Sequence, residues 1–121
     1  MKLNRLDDLN ATIARSGVTR RAFSGDNATL AFTTLEPGHE PNPHSHPHEQ
    51  IVYVLSGELR FVVGDEEAIV GPGSMLVIPP DTVHWAQTIG SEPAIDLSVF
   101  SPRREDYALE ELAGAIDPVG G

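Results

Sequence analysis

GHEPNPHSHPHEQIVYVLSG, residues Gly38 to Gly57, holds four of the chain's five histidines and runs from a proline-studded stretch straight into an apolar one. Pro41, Pro43 and Pro47 leave room only for short strand pieces between them, and they stiffen the segment. His44, His46 and His48 alternate with other residues. A β-strand sends residues i and i+2 to one face, so His44 and His46 are expected to point their imidazoles into one shared space. That spacing chelates a cation. Gln50 keeps the same parity, and its amide oxygen can join the two borderline nitrogens as a hard ligand. By parity His48 competes for the same role, although Pro47 interrupts the strand just before it. Glu49 has the opposite parity and is expected in solvent, and His39 is read as a loop residue.

The pattern Gly38-x5-His44-x-His46-x3-Gln50-x6-Gly57 resembles the first signature of the cupin superfamily, in which Gln sometimes replaces the usual Glu. A second stretch, GSMLVIPPDTVH with Gly73-x5-Pro79-x4-His84, is similar to the second cupin signature. The resemblance implies a metal held by His44, His46, Gln50 and His84, with His48 at the rim. Two positions depart from the second signature: Asp81 stands where Gly is usual, and Thr88 where Asn is frequent. Neither is a ligand position in the family. Three neutral imidazoles and a neutral amide leave the charge of a divalent ion uncompensated, which favours anionic substrates and acidifies bound water. Zinc, nickel, iron, manganese and copper all suit such ligation.

The chain's 121 residues, 40% of them apolar, fit one domain that can bury roughly two-thirds of its unfolded surface. Eighteen acidic against eight basic side chains give a formal charge of −10, which repels phosphate backbones and anionic lipids and makes nucleic acid and membrane poor partners. The absence of cysteine excludes disulfides and thiolate metal sites. MKLNRLDDLN lacks an apolar core of signal-peptide length, and no run approaches a membrane span, so a cytoplasmic location is expected.

Residues 1–17 are expected to form an N-terminal arm, 18–101 a barrel and 102–121 a C-terminal tail or helix. Val18 to Ser24, Ala28 to Leu35, Gln50 to Leu55, Leu59 to Val63, Ala68 to Val70, Met75 to Ile78, Val83 to Ile89 and Ala94 to Phe100 are predicted strands, separated by Gly/Pro turns. Many short, evenly spaced strands argue for an all-β, antiparallel double-sheet jelly-roll barrel, as the cupin resemblance also implies. Gln50 to Leu55 is apolar on both faces, and so is much of Ala94 to Phe100. Ile51, Tyr53 and Leu55, with Ile95, Leu97 and Val99, therefore need a cover outside the barrel, and a homodimer is expected. Leu109, Leu112, Ala113 and Ile116 recur at helical spacing, with a stop expected at Gly114 or Pro118.

HSHPHEQIVYVLSGEL together with VFSPRREDY is similar to small cupins of the KdgF type, which open 4,5-unsaturated uronates to linear keto forms. In those proteins an aspartate, a phenylalanine and an arginine act at the substrate, at the positions of Ser98, Phe100 and Arg104. Phe100 and Arg104 match. Ser98 replaces the aspartate, and Asp96 lies on the same strand face one pleat earlier, roughly 6 to 7 Å away, as an alternative carboxylate. Arg104 can equally pair with Glu105 or Asp106. The resemblance implies a metal-dependent isomerase or lyase-like enzyme acting on a small anionic substrate, with Asp96, Ser98 and Arg104 as catalytic candidates and Phe100 and Arg104 as binding ones. An iron- or copper-dependent dioxygenase, and a non-catalytic sugar-acid binding protein, are the alternatives.

Overall fold

The computed structural model describes residues 1–120, with side chains to Leu112. Its strands are β1 (Thr12–Arg15), β2 (Val18–Ser24), β3 (Thr29–Leu35), β4 (Glu49–Ser56), β5 (Glu58–Val63), β6 (Glu66–Val70), β7 (Met75–Ile78), β8 (His84–Ile89) and β9 (Ala94–Ser101), followed by the helix α1 (Glu105–Gly120). One sheet has the order β1-β2-β3-β9-β4-β7 and the other β6-β5-β8, with antiparallel neighbours throughout. This is the double-sheet jelly roll that the strand pattern predicts.

Period-two alternation decides what the two sheets enclose. In β4 Val52 and Val54 are fully buried, and they meet Leu59 and Phe61 of β5 and Ile78 of β7 in the main core. Each such side chain contributes about 1.5 to 3 kcal/mol by leaving water. In β9 the inward set is Ala94, Asp96, Ser98 and Phe100, all buried. Polar groups therefore sit where an ordinary core would be apolar. The outward residues Ile51, Tyr53 and Leu55 remain 43%, 38% and 42% exposed.

Gly57, between β4 and β5, has φ +76°, and a Cβ built on it would lie 2.5 Å from the Pro93 carbonyl oxygen. Only glycine fits this close approach. Asp81 also has positive φ, +59°. An aspartate tolerates this left-handed backbone, at the position where the second signature usually has glycine.

Three expectations are corrected. Residues 12–15 are not part of an arm outside the barrel: β1 pairs with β2 at the edge of the large sheet, through a register shift between Ile13 and Arg15. The strand into Val70 begins at Glu66, because the turn is confined to Gly64 and Asp65. The helix does not stop at Gly114 or Pro118. It continues to Gly120, and an interior glycine costs only about 1 kcal/mol. Tyr107 and Ala108 bury the start of α1, and Tyr107 packs against Phe100 with ring centres 5.3 Å apart. Among the described residues no helix is long and apolar enough to cross a membrane.

Candidate metal centre

The two signatures meet through their backbones. His44 and His84 form an isolated antiparallel bridge, exchanging N–H to O bonds of 3.1 and 2.9 Å, while the Asp81 amide donates to the His46 carbonyl at 2.8 Å. These contacts fasten the proline-stiffened loop to the start of β8. As a result one nitrogen from each of His44, His46 and His84 lies within 4.8 Å of the others. The three histidines can hold a metal ion.

Each imidazole turns its Nδ1 to a main-chain carbonyl: His44 to Asn42 at 2.6 Å, His46 to His48 at 3.0 Å and His84 to Thr82 at 2.8 Å. A carbonyl can only accept, so Nδ1 carries the proton and Nε2 presents a lone pair. Burial, and then the neighbouring cationic groups, push His84 down to about 4, and burial also lowers His46. His84 is therefore neutral at pH 7. His84 Nε2 is buried without a partner among the described residues, and Gln50 Oε1 faces His46 Nε2 at 3.1 Å. Those are two acceptors with no proton between them. The Gln50 amide nitrogen donates to Ser98 Oγ at 3.0 Å, and with the Ser98 hydroxyl proton going to Asp96 the oxygen end of the amide is the one left facing His46. Converging lone pairs without a donor fit a cation.

A cavity of about 340 Å³ opens beside the cluster, lined by His44, Gln50 and His84 and also by Asp96, Ser98 and Phe100. Burial raises the Asp96 carboxyl to about 7, opposed by a hydrogen bond from Ser98. Phe100 stands edge-on to His46 with ring centres 5.5 Å apart. Arg104 does pair with Asp106, through Nε at 3.1 Å and Nη2 at 2.7 Å, yet it also lines the cavity, and its Nη1 is buried without a partner. Arg103, not Arg104, faces Glu105. His48 stays outside the cluster and supplies a carbonyl to His46.

His39 is not merely a loop residue. It is buried, and its Nε2 accepts the Thr88 amide proton at 3.2 Å, which ties the loop to β8. Only its place in the first signature hints at this. Sequence reasoning also missed Arg15, Arg20, Asp106 and Tyr107, all of which line the cavity. None lies in either signature, and each arrives through long-range pairing or the docking of α1.

Comparison with known proteins agrees with this geometry. The family model described as a cupin domain matches residues 31–100. The chain is a cupin. An uncharacterised protein of Streptomyces coelicolor is 29% identical over 103 residues, covering 84% of this cupin and 97% of that protein. L-ectoine synthase of Vibrio campbellii is 28% identical over 86 residues, covering 69% of this cupin and 67% of the synthase. Among solved structures, KdgF from Halomonas sp. superposes with a TM-score of 0.79 at 24% identity, covering 88% of this cupin and 97% of KdgF. At that identity the superposition concerns the fold.

Proposed function

We propose that this cupin is a metal-dependent enzyme acting on a small carboxylated sugar or related oxyanion, of the uronate ring-opening kind. The observation that carries the reading is Asp96, a buried carboxyl held near pH 7 in the same cavity as the histidine cluster. An acid/base group is most effective when its pKa lies close to the working pH. A divalent transition ion (zinc, nickel, iron, manganese or copper) held by His44, His46, Gln50 and His84 would supply Lewis-acid polarisation of a substrate oxygen. The chain's own groups do the rest. Ser98 Oγ accepts the Gln50 amide proton, so its own proton is free to go to Asp96. Arg104 lines the cavity with Nη1 unpaired among the described residues, and can turn that donor to a substrate carboxylate. Phe100 closes the wall between them.

Opening an unsaturated uronate requires a proton taken from the anomeric hydroxyl, and the ring C–O bond broken as that carbon becomes an aldehyde. A proton then returns to the vinylic carbon of the released enolate. The atoms balance with a single acid/base group, and Asp96 is the group assigned to it. The replacement of the family aspartate by Ser98 favours a second reading, a sugar-acid binding protein without turnover. Zinc-reconstituted protein incubated with 4,5-unsaturated galacturonate distinguishes the two by loss of the substrate's ultraviolet absorbance. Turnover abolished by Asp96→Asn, and KM raised in Arg104→Ala with metal retained, is the expected result. Failure of the metal-loaded protein to bind or convert the uronate overturns the reading.

The partners that go with this reading are a small anionic substrate and a second copy of the chain in the cytoplasm, with no role for nucleic acid at a formal charge of −10. Val99, Ile51 and Val77 stand side by side across β9, β4 and β7, as do Leu97, Tyr53 and Met75. This charge-free ladder suits isologous packing of sheet on sheet.

A further inference from the structure

Alternation alone would turn Arg15 towards solvent. Ile13 pairs with Thr19 and is 77% exposed, so a regular strand would send the residue two positions on the same way. The register shift after Ile13 instead sets Arg15 opposite Val18, a buried core residue, and Arg15 lines the cavity. Bulges beside active sites characteristically re-aim one side chain in this manner.

Arg15 arrives beside a prepared pair. Arg20 donates Nε and Nη2 to Glu110 at 3.0 and 2.7 Å, and Arg104 donates the same two nitrogens to Asp106. Both guanidiniums stack on Tyr107, their central carbons 4.0 and 3.8 Å from its ring centre. One turn of α1 thus fixes two arginines that line a single cavity. Arg15 differs from both: among the described residues it has no carboxylate partner, only a 3.4 Å bond from Nε to the Glu40 carbonyl. Burial, and then the charge of Arg20, depress its pKa. A guanidinium beside another cation, without a carboxylate partner among the described residues, is unfavourable until an anion joins them.

We propose that Arg15 and Arg20 form a second anion subsite, so that the cavity takes a small dianion with one carboxylate at Arg104 and the other at Arg15 and Arg20. The inference rests on the reading above that a carboxylated small molecule enters this cavity, and it extends that reading from one anionic group to two. The volume of about 340 Å³ is within the range of small-ligand sites.

Calorimetric titration of the metal-loaded protein with galacturonate and with galactarate, which share a six-carbon chain and carry one and two carboxylates, tests it. The diacid is expected to bind at least tenfold more tightly to the wild type. Arg15→Gln, which breaks no ion pair, should bring the ratio of the two affinities to within about threefold. Arg104→Gln should weaken both acids and preserve the ratio. Comparing ratios removes any advantage that a diacid gains at the metal itself. Equal binding of the two acids by the wild type, a ratio unchanged in Arg15→Gln, or binding of neither acid overturns the subsite. Diacid preference without uronate turnover would sink the ring-opening reading and leave the subsite standing; turnover without that preference does the reverse.

Discussion

Gln50 Nε2 donates to Ser98 Oγ at 3.0 Å, and because the Ser98 hydroxyl proton goes to Asp96, that bond sets which end of the Gln50 amide faces the histidines. Removing the hydroxyl leaves Nε2 unpaired and lets the amide turn over, so that a donor replaces the oxygen proposed as a ligand. Ser98→Ala is therefore expected to weaken zinc binding about tenfold, the usual effect of losing a group that orients a ligand. Chelator competition measures it. An unchanged affinity would show that Gln50 does not depend on Ser98.

Asp96 makes stability depend on pH. Its carboxyl titrates at 3.8 when free and at about 7 when folded, so between those values the folded state binds more protons than the unfolded one. Stability from this group is full below pH 3.8 and is lost as pH rises towards 7. In metal-free protein the loss is on the order of 4 kcal/mol. Asp96→Asn should cancel it, so that the variant gains on the wild type in urea melts as pH climbs from 4 to 7. Parallel pH profiles would contradict the assignment.

Gly57→Ala puts a methyl group 2.5 Å from the Pro93 carbonyl oxygen at a backbone φ of +76°. The combined strain and clash should cost on the order of 3 kcal/mol. Gly71, with nothing within 4 Å of a built Cβ, is the control, and Gly71→Ala should shift the urea midpoint little. Equal midpoints for the two variants would remove the steric argument.

The ladder of Ile51, Tyr53 and Leu55 is expected to pair with its copy. Light scattering at micromolar concentration should give about twice the 13.0 kDa of one chain, and Tyr53→Glu should return the monomer, because a buried unpaired charge is costly. A monomeric wild type at that concentration counts against the dimer.

What was legible in the sequence was local. The parity of His44 and His46, the two-faced strand from Gln50 to Leu55 and the glycine and proline turns all act over a few residues, and they led to the jelly roll and to three histidines that do converge. Arg20 and Tyr107 were not legible. Arg20 is organised by Glu110, ninety positions away, and no periodicity reaches across such a distance. Arg15 escaped for a different reason: a one-residue register shift reverses the face that alternation assigns. His39 looked like a loop residue because its partner, the Thr88 amide, belongs to a strand remote in the chain.

The backbone bridge between His44 and His84 has a consequence for how the proposed ion would be loaded. Main-chain hydrogen bonds, not the imidazoles, hold the two signatures together, so the ligands stand at their stations before any metal arrives. Loading is then an act of filling a finished socket rather than of folding around a template. A socket of this kind could be emptied and refilled, and the ion proposed for it would follow the supply of metals rather than the history of the chain's own folding.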